Sequence, residues 1–585
     1  MTRIVDLNGL WRFAPELEHR PTNAHNLTVG DVNVHAYENI CRRHWKWVHV
    51  PGVWERYEEQ YRIYDGVCWY CKEIKLKDIS EKTKSRIRFK GVAYRADVFV
   101  NGTFAGYHES SYTEFTVDLT GLLRNGNNVI AVMVDNRAMM TKWPNDRGYF
   151  NYGGIHRDVS LELMDDTYMD ELSLVPTFDY KTGTGVLDIS CKVFGETATK
   201  VTVTMGTKTT QLIADANGML TAQLRYPDVT PWSPNAPKLY SLTIMLGEEI
   251  VASKKIGFKT IETEGTTVLL NGEKIRLNGT CYVYDSPVYG LVMTKEQLEM
   301  DLGEMKAAGV NAIRTHFPMD DRFYRMCDEM GFLVWIEIAV YTYKPKVESN
   351  SFFAQPAYVE NACMMIREMI NAAKEYACIA IYSIGNECGV EHPEAEPFFR
   401  LMAETVRQYD NTKLVGYACL YGMVGPIGKY VDILGVNSYV GWYDKISDTY
   451  TPQTRPVIEG KVEAEPCDLT EFHNIMDLVM GKLPKELPLL LTEFGGDCVP
   501  GFFSSSLDMW SENYHAKVIK EMIAASYDHA EICGTFVFAF TDYIDPCKPY
   551  NGFWNGLNLK GMLSYNRARK LPFYAMQEMY EGQEE

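Results

Sequence analysis

Two stretches of this 585-residue chain run from apolar residues into a carboxylate. The first is Ile379-Ala380-Ile381-Tyr382-Ser383-Ile384-Gly385-Asn386-Glu387, and the second is Pro488-Leu489-Leu490-Leu491-Thr492-Glu493-Phe494-Gly495. Continuous apolar runs of this length read as strands buried on both faces. In a parallel barrel the reactive groups sit where such strands end. Taken singly, Glu387 or Glu493 reads as a hydrogen-bonded residue at a rim. Taken together, two carboxyls can divide the roles of acid and nucleophile, because one negative charge raises the proton affinity of its neighbour. Cleavage of a glycosidic bond makes that demand.

A barrel is the fold that would position such a pair, and the C-terminal half has its grammar. Apolar runs fall at 275–282, 311–317, 333–340, 378–386, 414–420, 433–439, 488–494 and 533–541, with amphipathic segments between most of them. Thr294-Lys295-Glu296-Gln297 starts one helix as a capping box, and Leu298, Leu302 and Met305 follow on one face. Eight alternations predict a (β/α)8 TIM barrel over 262–585, with Glu387 closing strand four and Glu493 closing strand seven. Upstream, the pattern has period two. Arg95–Val100, Asn101-Gly102 and Thr103–Tyr107 spell a hairpin, and Asn125-Gly126 before Asn128–Val134 repeats the signal. Residues 1–166 therefore read as a β jelly-roll sandwich. The short strands of 167–261 read as an immunoglobulin-like β-sandwich. Gly183-Thr184-Gly185 falls at a strand turn, which leaves a phosphate-binding loop little support.

Composition narrows the partners. The net charge of −19 argues against nucleic acid or an anionic membrane. It also means that an anionic substrate needs local positive charge. No apolar run approaches the ~20 residues that span a bilayer. The N-terminus lacks the apolar core of a signal peptide, so a cytoplasmic protein is expected. The 14 cysteines are scattered, several of them within apolar runs, and read as reduced. Cys68 and Cys71 lie three apart in a strand-like run, so their sulfurs point to opposite faces rather than forming a metal or redox pair. No metal-ligand or cofactor motif stands out, and none is expected.

The chain resembles glycoside hydrolase family 2, and within it the β-glucuronidases. Leu7-Asn8-Gly9-Leu10-Trp11 and Asn151-Tyr152-Gly153-Gly154-Ile155-His156-Arg157 carry the likeness in the first domain. Trp232-Ser233-Pro234-Asn235-Ala236-Pro237-Lys238-Leu239-Tyr240 and Ile256-Gly257-Phe258-Lys259-Thr260 carry it in the second. Arg314-Thr315-His316-Phe317-Pro318, Asn386-Glu387 and Thr492-Glu493-Phe494-Gly495 carry it in the barrel. The resemblance implies retaining, exo-acting hydrolysis of a small-molecule or oligosaccharide β-glucuronide, by a homo-oligomer. A β-galacturonidase, a β-galactosidase and a non-catalytic carbohydrate-binding protein are the alternatives. It makes Glu387 the acid/base and Glu493 the nucleophile. It assigns Asn386 to the sugar 2-hydroxyl, Tyr439 to the nucleophile and His316 to the sugar.

Specificity rests on two further stretches. Asn437-Ser438-Tyr439-Val440-Gly441-Trp442-Tyr443 resembles the loop whose second tyrosine approaches a uronate carboxylate, and Trp442 is expected in the same contact region. Asn558-Leu559-Lys560-Gly561 matches the Asn-x-Lys element that reads that carboxylate. Departures surround the sugar's O4 and carboxylate. Tyr282-Val283-Tyr284-Asp285 replaces Arg-His-Glu-Asp after strand one, Phe538 replaces Trp, and Trp554 stands where an Arg is usual. Gly148 falls where an aspartate is expected, with Asp146 as the nearby candidate. The segment 341–353 is short for the family, which predicts an open mouth.

Overall fold

The computed structural model describes residues 2–16, 45–80, 83–137, 142–144, 149–195, 199–341, 346–347, 350–443, 469–484, 486–548 and 556–582. The first unit is a pair of antiparallel sheets. One has six strands, in the order Lys46–Val50, Gly9–Pro15, Val67–Leu76, Gly126–Asp135, Arg95–Val100, Thr103–Glu109. The other orders Arg3–Asp6, Val159–Met164, Lys84–Phe89 and Phe115–Asp118. Alternation does the folding: in Lys84–Phe89 every second residue is buried, and Ile87 and Phe89 meet Val98, Val132 and Leu161 in one core. Asn101 and Gly102 take φ of +52° and +87°, the turn that the hairpin requires. Asn125-Gly126 is not a hairpin. Phe115–Asp118 pairs in one sheet and Gly126–Asp135 in the other, so the Asn-Gly lies in a loop crossing between sheets. The Asn125 side chain ties that crossing to the backbone of Ile79.

The second unit stacks three strands (Tyr168–Asp179, Thr184–Phe194, Met219–Pro227) on four (Lys208–Ile213, Lys200–Met205, Tyr240–Leu246, Glu249–Ile256). Leu187, Ile189, Val201, Val203, Leu242 and Ile244 form its core. Gly183 (φ +66°) sits at the turn between the first two strands, and Thr184 and Gly185 already belong to the second.

The barrel is closed and has eight parallel strands: β1 (Leu277–Cys281), β2 (Ala312–Thr315), β3 (Leu333–Glu337), β4 (Ile379–Asn386), β5 (Leu414–Leu420), β6 (Ile433–Asn437), β7 (Leu489–Glu493) and β8 (Ile532–Val537). Each coincides with one of the eight apolar runs. Several runs overshoot their strand, because the rim is buried as well: Ile338, Ala339 and Val340 lie beyond β3 but are buried. Thr294 caps the helix Lys295–Ala307 by accepting from the Gln297 amide, and Leu298, Leu302 and Met305 are buried. The Gln297 side chain turns forward to Asp301, so only half of the capping box forms.

Both sandwiches are anchored to the barrel by residues of the motifs noted above. Arg157, fully buried, donates to the carbonyls of Tyr112 and Pro318, each at 2.7 Å. Trp232 donates its indole N–H to the Asp328 carbonyl at 2.9 Å, and Lys259 donates to the Ile379 carbonyl. The Asp328 carboxylate accepts from the amides of Ala377 and Cys378. These bonds fix the base of β4, the strand that ends at the first carboxylate.

Among the described residues no helix is long and apolar enough to cross a membrane, and no cluster of His, Cys, Asp and Glu is arranged to hold a metal ion. Cys68 is buried and Cys71 half-buried on one strand.

Candidate active site

Glu493 ends β7 as an apolar strand gives way to a polar mouth. Its Oε1 accepts from Arg314 Nη1 at 2.8 Å and faces His316 Nε2 at 3.0 Å, while its Oε2 accepts from the Tyr439 hydroxyl at 2.6 Å. Burial alone would raise its pKa. The His316 hydrogen bond, the Arg314 charge and the Tyr439 hydroxyl outweigh burial and hold it down to about 2. Arg314 comes from the middle of an apolar strand and is completely buried. Such a cation must be paired, and it is, with Glu493 on one side and Glu337 at 3.2 Å on the other.

Glu387 is presented by a distortion of β4. The pairing of β4 with β5 slips between Ser383 and Asn386, and Gly385 takes φ +154°. A Cβ on Gly385 would sit 3.0 Å from the Val340 carbonyl oxygen, so glycine is required. Glu387 itself has φ +46°, a costly conformation for a side chain of this size and one that clusters at functional sites. Asn437 Nδ2 donates to Glu387 Oε1 at 2.8 Å and to Asn386 Oδ1 at 3.0 Å. Thr492 orients that amide by donating to Asn437 Oδ1. Burial, then the nearby charge of Glu493, raise Glu387 to about 8, against the opposing pull of Asn437 and Arg314. The pair thus holds one proton, on Glu387, at neutral pH. Asn386 Oδ1 also accepts from Arg314 Nη2 at 2.9 Å, so two donors fix the amide oxygen.

The corner that the resemblance implies would read a sugar carboxylate is more elaborate than the sequence implied. Lys560 Nζ donates to the Tyr443 hydroxyl at 2.8 Å and to Asp497 Oδ2 at 2.9 Å. Lys548 Nζ approaches the same two groups, at 3.4 and 3.8 Å. Both lysines pull the buried Asp497 well below the usual carboxylate range, overcoming burial. Asn558 donates to the Tyr543 hydroxyl at 3.1 Å and to Asp545 at 3.2 Å. Tyr443 packs edge-on against Tyr439, with ring centres 5.1 Å apart, which links this corner to Glu493.

Trp442 has a different role from the contact expected of it. It is fully buried edge-to-face on Trp510, beneath a loop turned at Gly441 (φ +82°) and pinned by the Tyr514 hydroxyl to the Gly441 carbonyl. It props the Tyr439–Tyr443 loop from below. Asp146, Gly148 and Trp554 lie outside the described residues, as does much of the segment 341–353. The far wall is aromatic: Tyr149, from the first sandwich, packs between His316 and Tyr543, and Phe538 stands against His316 and Tyr439. The residues that depart from the family after β1 are structural here. Tyr282 donates to Asp301 and Tyr284 to the Val292 carbonyl, while Asp285, which matches the family's aspartate, accepts from Tyr152 and from the amide of Ile544.

Of the residues singled out from the sequence, the structure brings both carboxylates, Asn386, His316, Tyr439, Tyr443, Asn558 and Lys560 to one rim. Sequence reasoning gave no role to Arg314, Glu337, Asn437, Asp497, Asp545 or Lys548. An arginine inside an apolar strand was the one available signal.

The family description "Glycosyl hydrolases family 2, sugar binding domain" matches residues 4–164, and "Glycosyl hydrolases family 2, TIM barrel domain" matches 261–581. A β-galactosidase of Streptococcus thermophilus is 28% identical over 440 residues, covering 72% of this chain but only 39% of its own length. A putative β-glucuronidase of Formosa agariphila is 24% identical over 599 residues, 95% of this chain and 68% of that one. A crystal structure of a β-galacturonidase from Eisenbergiella tayi bound to galacturonate superposes with a TM-score of 0.81 at 25% identity, covering 99% of this chain and 97% of that one. The barrel match alone spans more than half of the sequence and includes both strand ends that bear the carboxylates, so the chain belongs to glycoside hydrolase family 2 and is a glycoside hydrolase.

Proposed function

We propose that the protein is a retaining, exo-acting β-uronidase that removes a terminal β-D-glucuronic acid, with the galacturonic epimer as the second reading. The observation that carries the mechanism is a pair of buried carboxyls at the ends of β4 and β7 in opposed settings: Glu387 meets the neutral Asn437 amide and is raised to about 8 by burial and the charge of Glu493, while Glu493 is held down to about 2 by His316, Arg314 and Tyr439. At neutral pH Glu493 attacks the anomeric carbon while Glu387 gives its proton to the departing oxygen. The resulting glycosyl ester on Glu493 is opened by water, from which Glu387 now takes a proton. Two inversions give net retention. Asn386 directs its amide nitrogen to the 2-hydroxyl. His316 holds Glu493 through Nε2, and its buried Nδ1 has no partner among the described residues, which suits a sugar hydroxyl.

The substrate class rests on Lys560, Tyr443 and Asn558. In a chain of net charge −19, buried lysines at the sugar rim are the local positive charge that a uronate requires. The Eisenbergiella tayi structure is of a β-galacturonidase, and that likeness supports keeping galacturonide beside glucuronide.

A panel of 4-nitrophenyl β-D-glycosides tests the reading: glucuronide, galacturonide, glucoside and galactoside. The uronides should be turned over fastest, and proton NMR should show the β-anomer of the free sugar first. An α-anomer first would remove the double displacement, and faster glucoside or galactoside turnover would remove the uronidase. A 2-fluoro uronosyl fluoride should label Glu493, read by peptide mapping. Glu493→Gln should lose at least ~10²-fold in kcat.

A further inference from the structure

We propose that the Tyr149 hydroxyl reads the 4-hydroxyl of the sugar, the group at which the two uronate epimers differ. The proposal rests on the uronidase reading above and deepens it, because it names the contact on which the choice of epimer turns. Tyr149 is not a barrel residue. It belongs to the first sandwich, just before residues 150–157, which dock that domain onto the barrel.

The docking fixes the ring. Tyr149 packs edge-on against Phe317, with ring centres 5.0 Å apart, and Phe317 stacks on Tyr112 at 4.1 Å. Phe150 packs on Tyr152 at 4.6 Å, and the Tyr152 hydroxyl donates to Asp285 at 2.8 Å. The Asn151 side chain donates to the Asn136 carbonyl at 2.8 Å. Tyr149 is thus held where two domains meet, half-buried, and it lines one cavity with His316 and Tyr543. Its hydroxyl has no hydrogen-bond partner among the described residues. A phenol that no neighbour satisfies is open to a ligand hydroxyl. Burial, then the charge of Glu493, push its pKa well above the usual phenol value. It therefore keeps its proton at neutral pH and is available as a donor.

The order of residues around the rim gives the position on the sugar. Asn386, assigned to the 2-hydroxyl, shares Arg314 with Glu493. His316 faces Glu493 at 3.0 Å. Tyr149 packs on His316 with ring centres 5.7 Å apart, and on Tyr543 at 6.0 Å. The Tyr543 hydroxyl accepts from Asn558, at the corner assigned to the uronate. A pyranose with C1 at Glu493, its 2-hydroxyl at Asn386 and its carboxylate at that corner turns its C3–C4 edge toward His316 and Tyr149. His316 comes next after Asn386 and takes the 3-hydroxyl. Tyr149, between His316 and the carboxylate corner, takes the 4-hydroxyl. One fixed phenol cannot meet an equatorial and an axial 4-hydroxyl equally well, so the contact separates the epimers.

The test measures kcat/KM of wild type and Tyr149→Phe on the 4-nitrophenyl β-D-uronide of the preferred epimer, on its 3-deoxy analogue and on the 4-deoxy uronide common to both epimers. On the parent uronide Tyr149→Phe should lose roughly 3- to 10-fold, the range for one neutral hydrogen bond. On the 3-deoxy sugar the loss should persist. On the 4-deoxy sugar, which offers Tyr149 nothing to meet, the two enzymes should be equal. The substitution keeps the ring, and comparing substrates within one variant cancels general damage to the fold. The same loss on the parent and the 4-deoxy sugar would leave Tyr149 as a wall and overturn the proposal. A loss that vanishes on the 3-deoxy sugar instead, or no loss on any substrate, would overturn it too. In each of these outcomes the uronidase reading stands as long as wild type prefers the uronides to 4-nitrophenyl β-D-glucoside. Faster wild-type cleavage of the glucoside would overturn that reading and this proposal with it.

Discussion

Neutralising Glu493 should release the proton of Glu387. Glu387 is raised to about 8 first by burial and then by the charge of Glu493, so the second contribution can be removed while the first is kept. Glu493→Gln does this with almost no change of shape. Retaining enzymes hold the two carboxyls about 5.5 Å apart. At an effective dielectric of about 20, two unit charges at that separation interact by roughly 3 kcal/mol, or about 2 pKa units. Glu387 should therefore titrate near about 6 in the Glu493→Gln enzyme. It should not fall to the ordinary glutamate value, because it remains buried. Carbon-13 NMR of protein labelled at the glutamate side-chain carboxyl carbon reads this, with Glu387→Gln in the same background identifying the resonance. The shift has a direct mechanistic meaning, since esterification of Glu493 removes the same charge. A carboxyl that is an acid at pH 7 before the first step then becomes a base at pH 7 before the second. A Glu387 resonance that still titrates near 8, or higher, would show that Glu493 is not what holds its proton, and the assignment of acid and nucleophile to this pair would fall.

Glu387→Ala should slow substrates with poor leaving groups far more than activated phenyl uronides, and azide should restore turnover of the activated substrate; equal losses without rescue would move the acid/base role to another residue. Arg314→Met leaves Glu337 and Glu493 buried without their shared cation, a loss of about 3–5 kcal/mol for a broken buried pair. It should lower the thermal unfolding midpoint and raise the pKa of Glu493 from about 2, moving the acid limb of the kcat/KM profile upward; an unchanged acid limb would deny Arg314 its electrostatic role.

The barrel and its two carboxylates were legible because a strand buried on both faces announces itself by continuous apolar sequence, and a carboxylate at its end stands out. The ends of the runs were less legible because rim and strand are buried alike, as Ile338–Val340 beyond β3 show. Asn125-Gly126 has the same letters as the true hairpin at Asn101-Gly102, but its flanking strands pair in different sheets, which is decided by contacts far along the chain. Trp442 shows the converse error. Its place in a substrate-facing loop suggested contact with sugar, yet a loop of that shape needs something large and apolar beneath it, and the indole fills that space against Trp510.

The residues that set the charge of the site were the hardest to see, for a single reason. Arg314, Glu337, Asp497, Asp545 and Lys548 come from β2, from β3 and from loops after β7 and β8. No spacing along the chain relates them. What relates them is that each buried charge must find another. Arg314 could have been questioned from sequence, because a guanidinium within Ala312–Thr315 has no reason to be there unless an acid meets it. Asp497 and Lys548 offered no such warning, since an acid and a lysine in polar loops are ordinary. Only the fold brings Lys548 and Lys560 onto one aspartate and one tyrosine. The carboxylate pair is thus written locally, at the ends of two strands. The proposed reading of a uronate draws instead on residues from separate loops, where substitution of Lys560 should alter specificity while leaving the carboxylate pair in place.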